Sequence, residues 1–201
     1  ALRASLPQKH LIFRDLGKQT QIEPLLETRQ VDVVLTLRPR SYSNTLCHMA
    51  LSQDTMRVFY DPKVRGPVES IADYCSASHA TVAFGQGRKS VLQTELEALA
   101  IHRRIILGVP NLWMLIRLLQ GTDMLASLPA HAARNTEGIL ASSPFPVELP
   151  PNQYDLVWHR RFSNSARLQW LLMTIETALS HRGQSQPDEA GHDTLRMLWN
   201  E

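Results

Sequence analysis

The sequence predicts an α/β fold, and three observations carry that expectation. Short apolar runs rich in Val, Ile, Leu and Phe alternate with stretches of helical periodicity along the 201-residue chain. Polar residues or Pro and Gly bound each run, as they bound buried strands. Hydrophobic residues make up 43% of the chain, enough to build a core. Alternation of this kind favours βαβ units and mostly parallel sheets.

"KHLIFRD" (Lys9–Asp15) reads as a first strand, from its aromatic and β-branched content. Helical spacing over Ile22–Gln30 predicts a helix, with Pro24 tolerated in its first turn. Val31–Leu37 is a buried-type strand, and Arg38–Asn44 a polar loop. Two strands follow, Thr45–Leu51 and Thr55–Tyr60, joined by a "SQD" turn and stopped by Pro62. Val68–Cys75 is expected to be helical and His79–Phe84 a strand. Lys89–Ala100 is a helix with Val91, Leu92, Leu96 and Leu99 on one face. Arg103–Pro110 is a strand; Asn111–Gly121 is a helix with an Asn cap and a closing Gly. Met124–Pro129 reads as a strand, Ala130–Gly138 as a short helix, and the Pro-rich stretch Ile139–Asn152 as irregular. Tyr154–Phe162 is a strand whose alternation puts Trp158 and Arg160 on one side, His159 and Arg161 on the other. Ser165–Gly183 is an amphipathic helix, Gln184–Pro187 a linker, and "DTLRMLWNE" a further helical turn or two.

Charge and composition exclude several classes. Net charge is +2 with scattered arginines, which argues against a nucleic-acid surface. No apolar run approaches the ~20 residues of a membrane span. "ALRASLPQKH" has no apolar core of a signal peptide, so a cytoplasmic location is expected. It also lacks Met, so the chain is expected to start within a longer protein. Cys47 and Cys75 lie outside any C-x-x-C pair, which speaks against a zinc site.

The most suggestive motif is "VAFGQGRKSVLQ" (Val82–Gln93). It fails as a P-loop: Arg88 follows Gly87, and Val82 stands where the first glycine belongs. It fails as a dinucleotide fingerprint because Ser90 replaces the third glycine, so no cofactor is expected. What remains is a strand-to-helix turn that either offers backbone N–H groups to an anion or is an ordinary connection. The eight histidines show no H-x-x-x-H spacing, so no metal site is predicted. No G-x-S-x-G elbow exists, and Glu95 and Glu97 lie on different helix faces, so no catalytic residues are assigned. "RPRSYSN" gathers two arginines into one loop, either solvated or reading a carboxylate or phosphate.

The order of these pieces resembles the effector domain of LysR-type transcriptional regulators. "PLLETRQVDVVLTLRPRS", "LSQDTMRVFYDP", "SIADYCSASHATVAFG" and "GTDMLASLPAHAA" match loose family motifs in sequence order. "PFPVELPPNQYDLVWHRRFSNSARLQWLLMTI" is the most specific, and its W-H with Trp170 is similar to the nodulation-regulator branch. The family departs from this chain at Asp123, where it has Gly, and at "TRQVD", where Arg29 and Gln30 replace a usual Gly.

The resemblance implies a type 2 periplasmic-binding-protein fold, two Rossmann-like lobes with a cleft between them, and no DNA-binding domain within this chain. Lobe I would comprise residues 1–57 plus 154–182 and lobe II residues 58–153, with 183–201 a tail; the strands around Arg57 and Tyr154 would be the crossings. It implies an effector-binding and oligomerising function, with a small aromatic or anionic acid as ligand and a dimer or tetramer as the assembly. DNA would be reached only through a separate helix-turn-helix domain, and no membrane is involved. Strand ends and loops nominate Arg38, Ser41, Phe84, Gly85, Gln86, Ser90, Pro110, Asn111, Leu128, Pro129 and His159 as cleft residues. Three rivals stand beside this: a thiol sensor using Cys47 and Cys75, a solute-binding protein, and a small α/β enzyme.

Overall fold

The computed structural model describes residues 11–14, 16, 21–83 and 90–183, with side chains as far as 178. The chain divides into two compact units, Ala1–Arg14 with Arg160–Glu201, and Asp15–His159. The first contains a 3-10 turn, Arg160–Phe162, and helix α6, Ala166–Gly183. Ser165 opens α6 by accepting the Leu168 N–H at 3.3 Å.

The second unit holds two sheets. Strands β1 (Val34–Leu37), β8 (Asn152–His159) and β2 (Leu46–Asp54) form a three-stranded sheet in the order β1-β8-β2. Strands β3 (Met56–Tyr60), β4 (Ser78–Val82), β5 (Arg104–Val109), β6 (Leu125–Pro129) and β7 (Ala141–Pro144) form a five-stranded sheet in the order β5-β4-β6-β3-β7. Helices α1 (Ile22–Glu27), α2 (Ile71–Ser76), α3 (Val91–Ala98), α4 (Leu112–Leu119) and α5 (Ala133–Thr136) join them.

Neither sheet is mostly parallel: the three-stranded one is antiparallel throughout and the five-stranded one is mixed. Only β4·β5 and β4·β6 run parallel among the described pairs. Those strands are linked through α3 and α4, and a crossover helix is what parallel pairing needs. The pairs β1·β8, β2·β8, β3·β6 and β3·β7 are antiparallel. β2 and β3 instead follow one another directly, and carry the chain from one sheet to the other through Thr55 alone.

Each sheet has its own core. Phe59, Ala80, Val109 and Ala126 pack under Leu115, Ile116 and Leu119 of α4. On the other face of the five-stranded sheet, Val58, Tyr60 and Leu125 pack with Tyr74 of α2 and with Leu92 and Leu96 of α3. Leu26, Val34, Leu46 and Val157 fill the core of the three-stranded sheet. Asp61, 4% exposed, ties the turn after β3 to the end of α4 by accepting the N–H groups of Gly121 (2.6 Å) and Lys63 (2.9 Å). Gly121 takes φ +74, a conformation glycine adopts without strain.

Several sequence expectations shift. β2 runs through the "SQD" expected as a turn, because Ser52, Gln53 and Asp54 pair with Tyr154, Gln153 and Asn152. β8 starts earlier than expected and ends at His159, so Arg160–Phe162 do not alternate as a strand. β7 lies in the stretch expected to be irregular; its partner β3 supplies the hydrogen bonds that a Ser- and Pro-rich segment does not announce. Residues 11–14, within the expected first strand, carry no regular structure; the rest of that strand, and the tail from 184, lie outside the described residues.

Candidate functional site

A cavity of about 260 Å³ opens where β1, β3, β8 and α3 approach one another. Leu37, Arg38, Pro39 and Arg40 form one wall, from the end of β1 into the loop after it. Val91, Leu92 and Glu95, on the first turns of α3, form another. Met56 at the start of β3, and Leu149–Gln153 leading into β8, close it. Most lining side chains are apolar, while Arg38, Arg40, Glu95, Asn152 and Gln153 supply polar groups.

Arg38 is not a free cation. Its Nε and Nη2 each donate to the Asp155 carboxylate at 2.8 Å, a forked pair. Asp155 sits at the centre of β8 with its side chain fully buried, and Tyr42 donates to it at 2.7 Å. Burial alone would raise the Asp155 pKa, but Arg38 and Tyr42 outweigh it and hold it below the ordinary carboxylate value. Burial, reinforced by the bond to Asp155, pushes the Tyr42 hydroxyl well up. The Tyr42 ring stacks on His48 at 4.4 Å. Arg40, by contrast, makes no ion pair among the described residues and lines the cavity.

The other nominated residues scatter. Ser90 precedes Val91 as the cap of α3 and accepts the Gln93 N–H at 3.1 Å, so the strand-to-helix turn spends its hydroxyl internally. Asn111 does the same for α4, accepting from Met114 at 2.9 Å, beside an exposed Pro110. Leu128 is 7% exposed and packs in the core under α4; Pro129 pairs with Met56 and His159 with Leu46. Ser41 is exposed beyond the cavity wall. Phe84, Gly85 and Gln86 lie outside the described residues. Cys47 is on β2 opposite Trp158, and Cys75 on α2 against the core of the other sheet; neither forms a disulfide. Among the described residues no group of three His, Cys, Asp or Glu could hold a metal, and no helix is long and apolar enough to cross a membrane.

Sequence reasoning placed Arg40 in the "RPRSYSN" loop without nominating it, and missed Asp155, Met56, Glu95, Asn152 and Gln153. Asp155 had a signal: one carboxylate inside the otherwise apolar "YDLVW", with the arginines of "RPRS" to pair with it. Glu95, read as a solvated face, is half-buried at the cavity. The others become neighbours only through the crossing of the sheets.

The LysR substrate binding domain family matches residues 2–180. This chain belongs to it. The transcriptional activator NagR of a Ralstonia species is 27% identical over 151 residues, covering 73% of this chain and 50% of NagR. Nodulation protein D 1 of Sinorhizobium fredii is 37% identical over 67 residues, covering 33% of this chain and 21% of that protein. The chain thus spans half or less of these relatives. The regulatory domain of MexT, a transcriptional activator of Pseudomonas aeruginosa, superposes with a TM-score of 0.73 at 24% identity, covering 88% of each chain. The fold is therefore that of LysR regulatory domains, of the type 2 periplasmic-binding-protein kind.

Proposed function

We propose that this chain senses a small effector on behalf of a transcriptional regulator, and that the cavity at the sheet crossing is where the effector binds. The cavity is the observation that carries this reading. Its walls come from both sheets, so a ligand that fits it better in one mutual arrangement shifts the population toward that arrangement. The lining suits a mostly apolar molecule with one acidic group, such as an aromatic acid. Arg40 is available to meet the acid, because Arg38 is already neutralised by Asp155. Asn152 and Gln153 add amide donors and acceptors, while Glu95 disfavours a multiply charged anion.

In the proposed arrangement, residues 1–57 with 154–182 make one lobe, 58–153 the other, and 183–201 a tail. The regulator would act in the cytoplasm as a dimer or tetramer and reach DNA through a helix-turn-helix domain. Thermal melting against small aromatic acids, flavonoids and amino acids tests the reading. A ligand at a hundred times its Kd adds about 2.7 kcal/mol to stability. An upward shift that Arg40→Ala or Asn152→Ala abolishes supports the site; an equal shift in both variants places the ligand elsewhere.

A further inference from the structure

We infer that Asp54 and His131 form a latch that fixes the angle between the two sheets at their crossing. Asp54 is the last residue of β2 and Met56 the first of β3, so Thr55 alone turns the chain from one sheet into the other. Asp54 moves with the three-stranded sheet, since it pairs with Asn152 of β8. His131 moves with the five-stranded sheet, because the 3-10 turn Ala130–Ala132 continues β6, which pairs with β3 through Pro129 and Met56.

The two residues nonetheless meet twice. The Asp54 carboxylate accepts the His131 backbone N–H at 2.9 Å and lies 2.5 Å from its Nδ1. The preceding residue, Ala130, donates its N–H to the Thr55 carbonyl at 2.8 Å. A rotation about Thr55 separates groups anchored in different sheets, and hydrogen bonds lose most of their strength within about an ångström of stretching. The bonds are therefore made at one inter-sheet angle and broken at others. Asp54 is held for this: its side chain is 13% exposed, and although burial raises its pKa, the His131 contacts outweigh that and lower it. The His131 ring also stands edge-on to Tyr154 of β8, centroids 6.0 Å apart, a second contact between the same two bodies.

The latch adjoins the cavity. Met56 and Asn152 line the cavity and flank the same joint, with the Asn152 amide donating to the Met56 sulfur at 3.1 Å. Asp54 and His131 do not themselves line the cavity. They are positioning residues, and the inference holds whatever the effector is.

The test is a distance measurement by pulsed electron spin resonance on this chain without ligand. Nitroxides go on Leu35→Cys, exposed on β1, and Glu69→Cys, exposed before α2, in a background with Cys47→Ser and Cys75→Ser. The parent should give one narrow distance distribution. Asp54→Ala and His131→Ala should each broaden it, the double variant no further than Asp54→Ala, and His131→Gln, which keeps a donor, should narrow it again. Hydrogen exchange at the His131 amide should quicken by about tenfold in Asp54→Ala while core amides keep their protection. An unchanged distribution in His131→Ala and Asp54→Ala, or additive broadening in the double variant, overturns the latch. His131→Ala removes only a half-exposed ring, so it decides the question even if Asp54→Ala does not fold.

Discussion

At the scale of single residues, the structure separates groups that hold the fold from groups available to a ligand. Arg38 shows why the two are easily confused. A loop arginine beside a cavity reads as a ligand-binding cation, yet its fork is taken by the buried Asp155. Arg38→Ala should lower the urea midpoint, because it leaves a buried carboxylate with Tyr42 alone for a side-chain partner. Any loss of effector response in that variant must be corrected for lost stability before it counts as lost contact. The sign with pH follows from the lowered Asp155 pKa. Its contribution is present above about pH 4, the unfolded carboxylate value, and is lost as pH falls through the folded value. The Arg29 position offers the opposite kind of change. It takes φ +57 at the end of α1, and Ala100 takes φ +55 after α3. Left-handed backbone costs a non-glycine residue roughly 1 kcal/mol. Ala100→Gly should therefore stabilise the chain by about that amount in chemical denaturation. Arg29→Gly should gain less, since it also gives up the 3.5 Å contact with Asp32.

At the scale of elements, the helices were the legible part of the sequence and the strand ends the illegible part. Ser70, Ser90 and Asn111 each cap a helix through the N–H three residues on. A cap is written locally, which is why the starts of α3 and α4 could be placed within a residue or two. Ser90→Ala should cost about 1 kcal/mol in thermal unfolding, without altering binding at the cavity, if the hydroxyl serves α3 alone. Strand limits are set by partners far along the chain. Ser52–Asp54 look like a turn until β8 lies beside them, and Ala141–Pro144 look irregular until β3 does. The candidate site failed to appear for the same reason. Arg40, Met56, Glu95 and Asn152 come from four separate segments, and no local pattern ties them together. Strand-end logic found Arg38 but also selected Leu128, a core residue, because a strand end can point inward as well as into a cleft.

At the scale of the whole molecule, one buried histidine should govern stability in mild acid. His79 on β4 is fully buried between α2 and the five-stranded sheet. Its Nε2 faces the Tyr74 carbonyl at 2.8 Å, which assigns the proton to that nitrogen and leaves Nδ1 a bare acceptor without a partner. Protonating Nδ1 would place a charge in the core. Burial, with help from Arg103 and Arg65 and against the pull of the Tyr74 carbonyl, pushes the His79 pKa down to about 4. The unfolded chain titrates near 6.5. A depressed folded pKa means the stabilisation is complete above pH 6.5 and drains away as pH falls toward 4. The loss over that window should be about 3 kcal/mol. Asp155 begins to contribute its own loss only below that window, so the two can be told apart. Urea midpoints measured from pH 7 to pH 4.5 should fall steeply in the parent chain and remain nearly flat in His79→Gln, which cannot take up a proton. Parallel curves for the two would mean that His79 does not control the acid response. Because the Tyr74 ring meets His79 edge-on with centroids 4.5 Å apart, and its hydroxyl bonds Ser127 of β6 at 2.8 Å, protonation should loosen α2 first. Amide exchange over Ile71–Ser76 should accelerate ahead of α4, whose core lies on the other face of the same sheet.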